Sequence, residues 1–294
     1  MSTTVTQDEI GSFEVHRRAL IGLAYRMLGS RAEAEDVVQD AYLRWHAADR
    51  AAIEQPRRYL GTVVTHLCLD RMKSVRARRE LYVGQWLPEP VVDETFEDDT
   101  ADDLAHDISV ALMLLLERLS PLERASFLLH DVFGLDFAEI SSAIGRGEAA
   151  CRQLAARSRR HIESGRLRFA ASREEGHRLA AAFHKAAVSG DTQILIQILA
   201  EDAVLYTDGG GKRVAALKPI YGADKILRFL AGIARKNSSL SATQARPAIV
   251  NGLAGLVLRE NDGAIDTIAL EHRHGRIVAI YLIRNPEKLH HVRF

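Results

Sequence analysis

The chain has 294 residues, 47% of them hydrophobic and 27% charged, a balance too apolar for wholesale disorder. Lys plus Arg and Asp plus Glu are equal at 39 each, so the totals alone point to no polyanionic partner. The polar, mildly acidic start Met1 to Glu9 excludes a secretory signal, and the most apolar stretch, Val110–Leu116, is far short of the roughly 18 residues a membrane span needs. A cytoplasmic protein is expected.

The first segment, residues 8–85, reads as helices. Ile10, Phe13, Leu20, Ala24, Met27 and Leu28 follow helical spacing, and Gly29 closes the run. Ser30 followed by Glu33 is a capping box opening a second helix, which sets Val37, Ala41 and Trp45 on one stripe. Pro56 opens a third helix with Tyr59, Val63 and Leu67 as its expected buried stripe, flanked by Leu60 and Val64. It ends in a basic run, Arg71, Lys73, Arg76, Arg78 and Arg79, either a solvated face or a phosphate-contacting end.

Charge then reverses. Residues 86–105, which open with Pro88 and Pro90, are acidic with no Lys or Arg, and self-repulsion should keep them extended as a linker. A second helical unit, residues 106–168, follows. Ala111, Leu112, Leu115, Leu116 and Leu119 make one helix, and Ser120-Pro121-Leu122-Glu123 starts the next. Asp136 caps a short helix with Phe137, Ile140 and Ile144, Gly145 makes a turn, and a longer helix begins at Glu148. A short helix, a glycine turn and a longer basic helix form a helix-turn-helix pattern, here with Arg152, Arg157, Arg159 and Arg160, then Arg166 and Arg168. An ordinary hairpin with an arginine-rich face is the plainer alternative. Cys68 and Cys151 read as small buried hydrophobes rather than a disulfide or metal pair.

Residues 174–294 change character. Helices at Gly176–Val188 and Asp191–Leu199 lead into strand-like runs at Ala203–Tyr206, Val214–Leu217, Ala248–Val250, Leu253–Arg259, Ile265–Glu271 and Ile277–Ile283, with a helix near Ala223–Arg235. An α+β domain with one curved antiparallel sheet packed on helices is expected. Asp208-Gly-Gly-Gly-Lys212 is too glycine-rich for a strand interior and suits a loop that another backbone approaches closely. His184, Asp202, Asp208, Glu271, His272 and His274 are the acid–base candidates there. His272 and His274 could share a face and a metal, although a solvated edge is the simpler reading.

Ala34-Glu-Asp-Val-Val-Gln-Asp-Ala-Tyr-Leu-Arg44 resembles region 2 of bacterial sigma factors of the extracytoplasmic-function type. Ser120–Arg124, Phe137–Ile140 and Gly147–Leu154 resemble their region 4, and the last part resembles a SnoaL-like domain of the NTF2-like fold. A subgroup carrying that domain is marked by three motifs, seen here as Trp86-Leu-Pro-Glu-Pro90, Asp208-Gly-Gly-Gly-Lys212 and Asn285-Pro-Glu-Lys-Leu289, the last with Glu287 where Asp is commoner. The resemblance implies a multidomain protein: two all-α sigma domains, a region 2 helical bundle and a region 4 helix-turn-helix, then an α+β NTF2-like (SnoaL-like) domain. It implies an alternative sigma factor controlled in cis, not an enzyme, with no cofactor, metal or catalytic residue expected.

Core RNA polymerase would meet Asp36, Val37, Gln39, Asp40, Leu43 and Arg44. The −10 element would meet Arg57, Arg58, Tyr59, His66, Arg71 and Lys73, with Tyr59 equally readable as core and His66 standing where many relatives have Asn. The −35 element would meet Glu148, Arg152, Gln153, Arg157 and Arg160, on a helix capped by Gly147 where relatives have a hydroxyl. Trp86, Leu87, Pro88, Asp208, Gly209, Gly210, Gly211, Lys212, Asn285 and Pro286 would form the regulatory interface, with residues after Pro286 as an activating tail. The implied partners are core RNA polymerase and promoter DNA, with a small molecule in the SnoaL-like pocket possible, no membrane, and a monomer when free. The alternative is a DNA-binding regulator with an NTF2-like ligand-binding or enzymatic domain.

Overall fold

A computed structural model describes residues 7–93, 109–165, 173–189, 191–236 and 244–294. The acidic run after Asp93 and the arginines at 166 and 168 lie outside these residues. No helix among the described residues is long and apolar enough to cross a membrane. The chain divides into two compact units, residues 1–80 with 102–166, and residues 81–101 with 167–294.

The first unit is helical. Helix α1 (Gln7–Leu28) ends at Gly29, whose φ of 72° closes the turn. Helix α2 (Arg31–Ala47) is capped by Ser30 Oγ, which accepts from Glu33 N, and α3 spans Pro56–Glu80. Their core holds Phe13, Leu20, Leu23, Met27, Val37, Val38, Trp45, Leu60, Val64 and Cys68. The buried stripe of α3 is thus centred one position later than the spacing predicts, on Leu60, Val64 and Cys68. Helix α3 packs on α1, α2 and the second helical set, so its apolar surface is broader than one stripe. Tyr59 is half-buried with its ring 6.0 Å from that of Trp45, and so lies at the edge of the core.

The second set comprises α4 (Val110–Glu117), α5 (Pro121–Phe127), a π turn (Leu128–Val132), α6 (Phe137–Ile144) and α7 (Glu148–Gly165). Complete capping boxes, Ser120 with Glu123 and Asp136 with Glu139, fix the starts of α5 and α6. Gly145, at φ 65°, makes the left-handed turn between α6 and α7. Both cysteines are free and buried.

The second unit is α+β. Helices α8 (Arg173–Ser189), α9 (Thr192–Ile198) and α10 (Ala223–Lys236) accompany a seven-stranded sheet. Its strands are β1 (Val92–Asp93), β2 (Leu199–Asp208), β3 (Ile220–Tyr221), β4 (Gln244–Val250), β5 (Leu253–Arg259), β6 (Ile265–Arg273) and β7 (Arg276–Ile283), in the order β1-β4-β5-β6-β7-β2-β3. Leu179, Phe183, Leu205, Ile226, Leu256, Leu270 and Ile280 share the core between sheet and helices. A four-residue helix, α11 (Pro286–Leu289), follows the last strand.

Three expectations need correction. The sheet is mixed, because β2 and β7 pair in parallel. Val214–Leu217 is no strand: Val214 and Leu217 are exposed, and Ala216 is held by the Thr207 side chain instead of a neighbouring ladder. The start of the linker is not a free extended segment. Leu87, Pro88, Glu89 and Pro90 are buried, and Val92 and Asp93 pair with Val250 and Ile249 at the sheet edge. A buried ionic cluster closes the unit: Arg284 bonds Asp266 (2.9 Å), Glu260 and the Val214 carbonyl, while Arg213 joins Glu260 and Asp262. Burial pushes the Asp266 carboxyl up, aided by Glu260 and opposed by Arg284.

Candidate functional site

In the first unit, α2 offers a mixed polar and apolar face. Asp36, Gln39 and Arg44 are exposed, and Leu43 keeps 58% of its surface in solvent. Val37 must be removed from this face: it is fully buried in the bundle, so it supports α2 from inside and offers no surface. Asp36 and Asp40 both accept from Arg71, at 3.4 and 3.0 Å, which commits that arginine to tying α3 to α2.

On α3, Arg57 and His66 are exposed, and Lys73 pairs with its neighbour Asp70. Arg58 instead reaches Glu139 on α6, 2.6 Å away, and the Arg57 guanidinium stands 5.5 Å from the Phe133 ring centroid. Gly61 permits this approach, since a Cβ there would sit 3.2 Å from the Phe133 ring. Deeper in the seam Arg124, 2% exposed, donates to the Met27 carbonyl (2.6 Å) and to Glu117 (2.8 Å). Burial lowers its pKa to about 10. Arg79 meets the same Glu117 carboxylate and the Leu28 carbonyl. A cavity of about 590 Å³ opens beside them, lined by Met27, Met72, Arg79, Glu117 and Arg124 among others.

On α7, Glu148, Arg152, Gln153, Arg157 and Arg160 are all exposed. Arg152 lies over the Phe137 ring and 3.3 Å from Glu148, while Arg157 stands 3.4 Å from Glu123. Burial pushes the Glu123 carboxyl up, but the bonds from Ser120 and the charge of Arg157 outweigh it and hold it low.

In the second unit the three glycine-, tryptophan- and asparagine-containing motifs converge on one carboxylate. Asp208 ends β2 with no solvent exposure. It accepts from Tyr82 Oη (2.6 Å), Leu87 N (2.9 Å), Gly210 N (3.0 Å) and Lys288 Nζ (2.7 Å). Lys288 also donates to the Leu87 carbonyl and stands 4.3 Å from the Trp86 ring centroid. Asn285 caps α11 through Glu287 N and donates from Nδ2 to Tyr82 Oη, while Lys212 pairs with Glu287. Burial raises the Tyr82 phenol, and the carboxylate it bonds raises it further.

The family described as Sigma-70 region 2 matches residues 13–79, and Sigma-70 region 4 matches residues 109–162. The ECF RNA polymerase sigma factor SigJ of Mycobacterium tuberculosis is 36% identical over 293 residues, covering 95% of this chain and 93% of that protein. The chain belongs to the extracytoplasmic-function (ECF) sigma factors. SigI of the same organism is 30% identical over 282 residues, 95% of this chain and 93% of its own. The crystal structure of M. tuberculosis SigJ matches with a TM-score of 0.77 at 34% identity, covering 96% of this chain and 98% of that one.

In this sigma factor the glycines of the Asp208 loop have distinct steric reasons. A Cβ at Gly209 would stand 2.2 Å from the Arg213 carbonyl oxygen. Gly210, at φ 59°, would drive its Cβ to 2.3 Å from Asn285 Nδ2, and Gly211 faces Val83. Asn285 cannot swing aside without losing Tyr82. Gly210→Ala is therefore expected to cost the sigma factor about 2 kcal/mol or more, from the left-handed backbone and the clash together. An unchanged urea midpoint would contradict this. Sequence reasoning missed Tyr82 and Lys288 as members of the cluster. Lys288 lay within a noted motif, but a lone tyrosine before the linker carried no signal.

The acid–base candidates stay apart. Asp208 is engaged as described, Glu271 accepts from Tyr281 (2.7 Å), and buried His272 stands 3.3 Å from Glu175. His274 and Asp202 are exposed and His184 is half-buried.

Proposed function

We propose that this chain, a monomer when free, binds core RNA polymerase in the cytoplasm and directs promoter-specific initiation, and that it is controlled in cis by its α+β unit. The observation that carries the reading is a helix-turn-helix with outward Arg152 and Gln153, folded in one unit with a bundle whose α2 leaves Leu43 exposed among Asp36, Gln39 and Arg44. An apolar side chain ringed by polar and charged groups suits a protein–protein contact. Arg57, His66 and Lys73 serve the −10 element, with Arg58, Tyr59 and Arg71 joining them on release. Glu148, Arg152 and Gln153 read the −35 element, and Arg157 and Arg160 hold phosphates.

Elements about 25 base pairs apart are separated by roughly 85 Å at 3.4 Å per pair. Here Arg58 on the −10 helix touches Glu139 on the helix-turn-helix at 2.6 Å. The first unit is thus a closed form, and reading both elements requires the seam to open. The α+β unit holds Leu81–Asp93, the first thirteen residues of the connection between region 2 and region 4. Released, they return about 45 Å of reach at 3.3–3.6 Å per residue. Capture of that segment at Asp208 is the proposed means of control in cis.

The test is binding of labelled full-length protein and of a 1–170 fragment to core RNA polymerase. Tighter binding by the fragment supports inhibition by the α+β unit, and tighter binding by the full chain makes that unit an activator. Binding by neither, where a known sigma factor binds, overturns the polymerase reading. Within a complex that binds promoter, Arg152→Ala is expected to lose about 1–3 kcal/mol with relaxed sequence preference. Arg157→Ala should weaken all promoters alike and reduce the salt slope by about one. An unchanged slope removes Arg157 from the phosphate contacts.

A further inference from the structure

We infer that Glu89, His290 and His291 form a site for one divalent transition-metal ion of the zinc class, joining the linker to the C-terminal tail. One ligand atom from each of these side chains lies within 4.8 Å of the other two. Glu89 is the acid of the Trp86–Pro90 motif, and the histidines follow α11, so the three come from segments about 200 positions apart and meet inside one compact unit.

The tautomers point the same way. His291 Nε2 lies 2.8 Å from the Pro90 carbonyl oxygen, which can only accept, so Nε2 carries the proton. In the neutral ring Nδ1 then presents a lone pair to Glu89 Oε1 at 3.2 Å, with no hydrogen-bond donor to meet it. A lone pair against a buried carboxylate is repulsive, and a cation shared by both atoms removes the conflict. His290 repeats the pattern. Its Nδ1 lies 2.9 Å from the Glu287 carbonyl oxygen, so Nδ1 donates and Nε2 is left for a metal. Metal-binding imidazoles generally anchor their second nitrogen on a carbonyl or carboxylate in this way.

The donor set selects the ion. Two imidazoles and one carboxylate suit zinc and its neighbours rather than magnesium or calcium, which take oxygen ligands. Zinc–ligand bonds near 2.1 Å in a tetrahedron set ligand atoms about 3.4 Å apart. The Glu89–His291 pair is already near that spacing, and a ring nitrogen of exposed His290 lies within 4.8 Å of both, so a turn of its side chain is what the site requires. Water fills the fourth position. An imidazolium paired with Glu89 and no metal is the competing arrangement, and it makes no use of His290.

The test uses untagged full-length chain, freed of metal by a chelator that is then removed, and titrated with zinc chloride alone. One zinc per chain is expected in the micromolar range or tighter, with a rise in Tm, and cobalt(II) should give the visible bands of a tetrahedral site. His290→Gln, at an exposed position, should keep the metal-free Tm and lose both the stoichiometric zinc and the cobalt bands. Glu89→Gln should lose them also, and His274→Gln, on the β6–β7 turn, should retain them. Absence of stoichiometric zinc in the wild type, wild-type affinity in His290→Gln, or loss in His274→Gln instead each overturns the assignment.

Discussion

Asp208→Ala is expected to lower the stability of the α+β unit by about 3–5 kcal/mol, the range for removing one partner of a buried charge pair. The carboxylate has no solvent exposure and takes four donors, Tyr82, Leu87 N, Gly210 N and Lys288. Alanine takes from the Lys288 ammonium, 12% exposed, the carboxylate it pairs with at 2.7 Å, and takes from the Leu87 N–H its acceptor. Asp208→Asn keeps the shape and two acceptor lone pairs but removes the charge, so about 1–3 kcal/mol is expected. Urea unfolding of the full chain followed by far-UV signal measures both. Local release has a second readout, the emission of Trp86 in a Trp45→Phe background, because Trp86 rests against Lys288. Equal midpoints and unchanged emission in Asp208→Ala would show that the three motifs meet there without holding one another.

The contrast between what local chemistry reveals and what it hides runs through both units. Ser120 with Glu123, Asp136 with Glu139, and Gly145 were readable because caps act within four residues. Helix α3 was placed correctly but turned by one position, since a helix packed on several neighbours has no single apolar stripe to read. The parallel pairing of β2 with β7 could not be read, because strand direction is decided by partners some 75 residues apart. Val214–Leu217 shows the reverse case: apolar residues in a run, but with Val214 and Leu217 in solvent and Ala216 bonded to a side chain instead of a strand backbone. The Asp208 loop was legible as a site of close approach from its glycines alone. Its partners were not, because Tyr82 and Lys288 reach it from positions that no spacing rule links to Asp208.

The same limit hides the seam of the first unit, and there a second large effect is expected. Glu117→Ala should destabilise that unit by about 2–4 kcal/mol, somewhat below the 3–5 of a fully buried pair because Glu117 keeps 17% exposure beside the cavity. One carboxylate bridges Arg79 and Arg124, and these guanidiniums bind the Leu28 and Met27 carbonyls at the end of α1. Without it two like charges face each other in a confined space, and separating region 4 from region 2 relieves them. Arg58–Glu139, with 41% and 28% exposure, adds only about 0.2–1 kcal/mol and cannot hold the seam alone. Fluorophores on the exposed faces of α2 and α7 should therefore report a longer and broader distance in Glu117→Ala than in the wild type. Promoter binding with core polymerase should rise if closure restrains the factor. A wild-type distance with an unchanged unfolding midpoint would place the restraint elsewhere, and an opened seam with weaker promoter binding would make the closed packing a requirement for assembly rather than a brake on it.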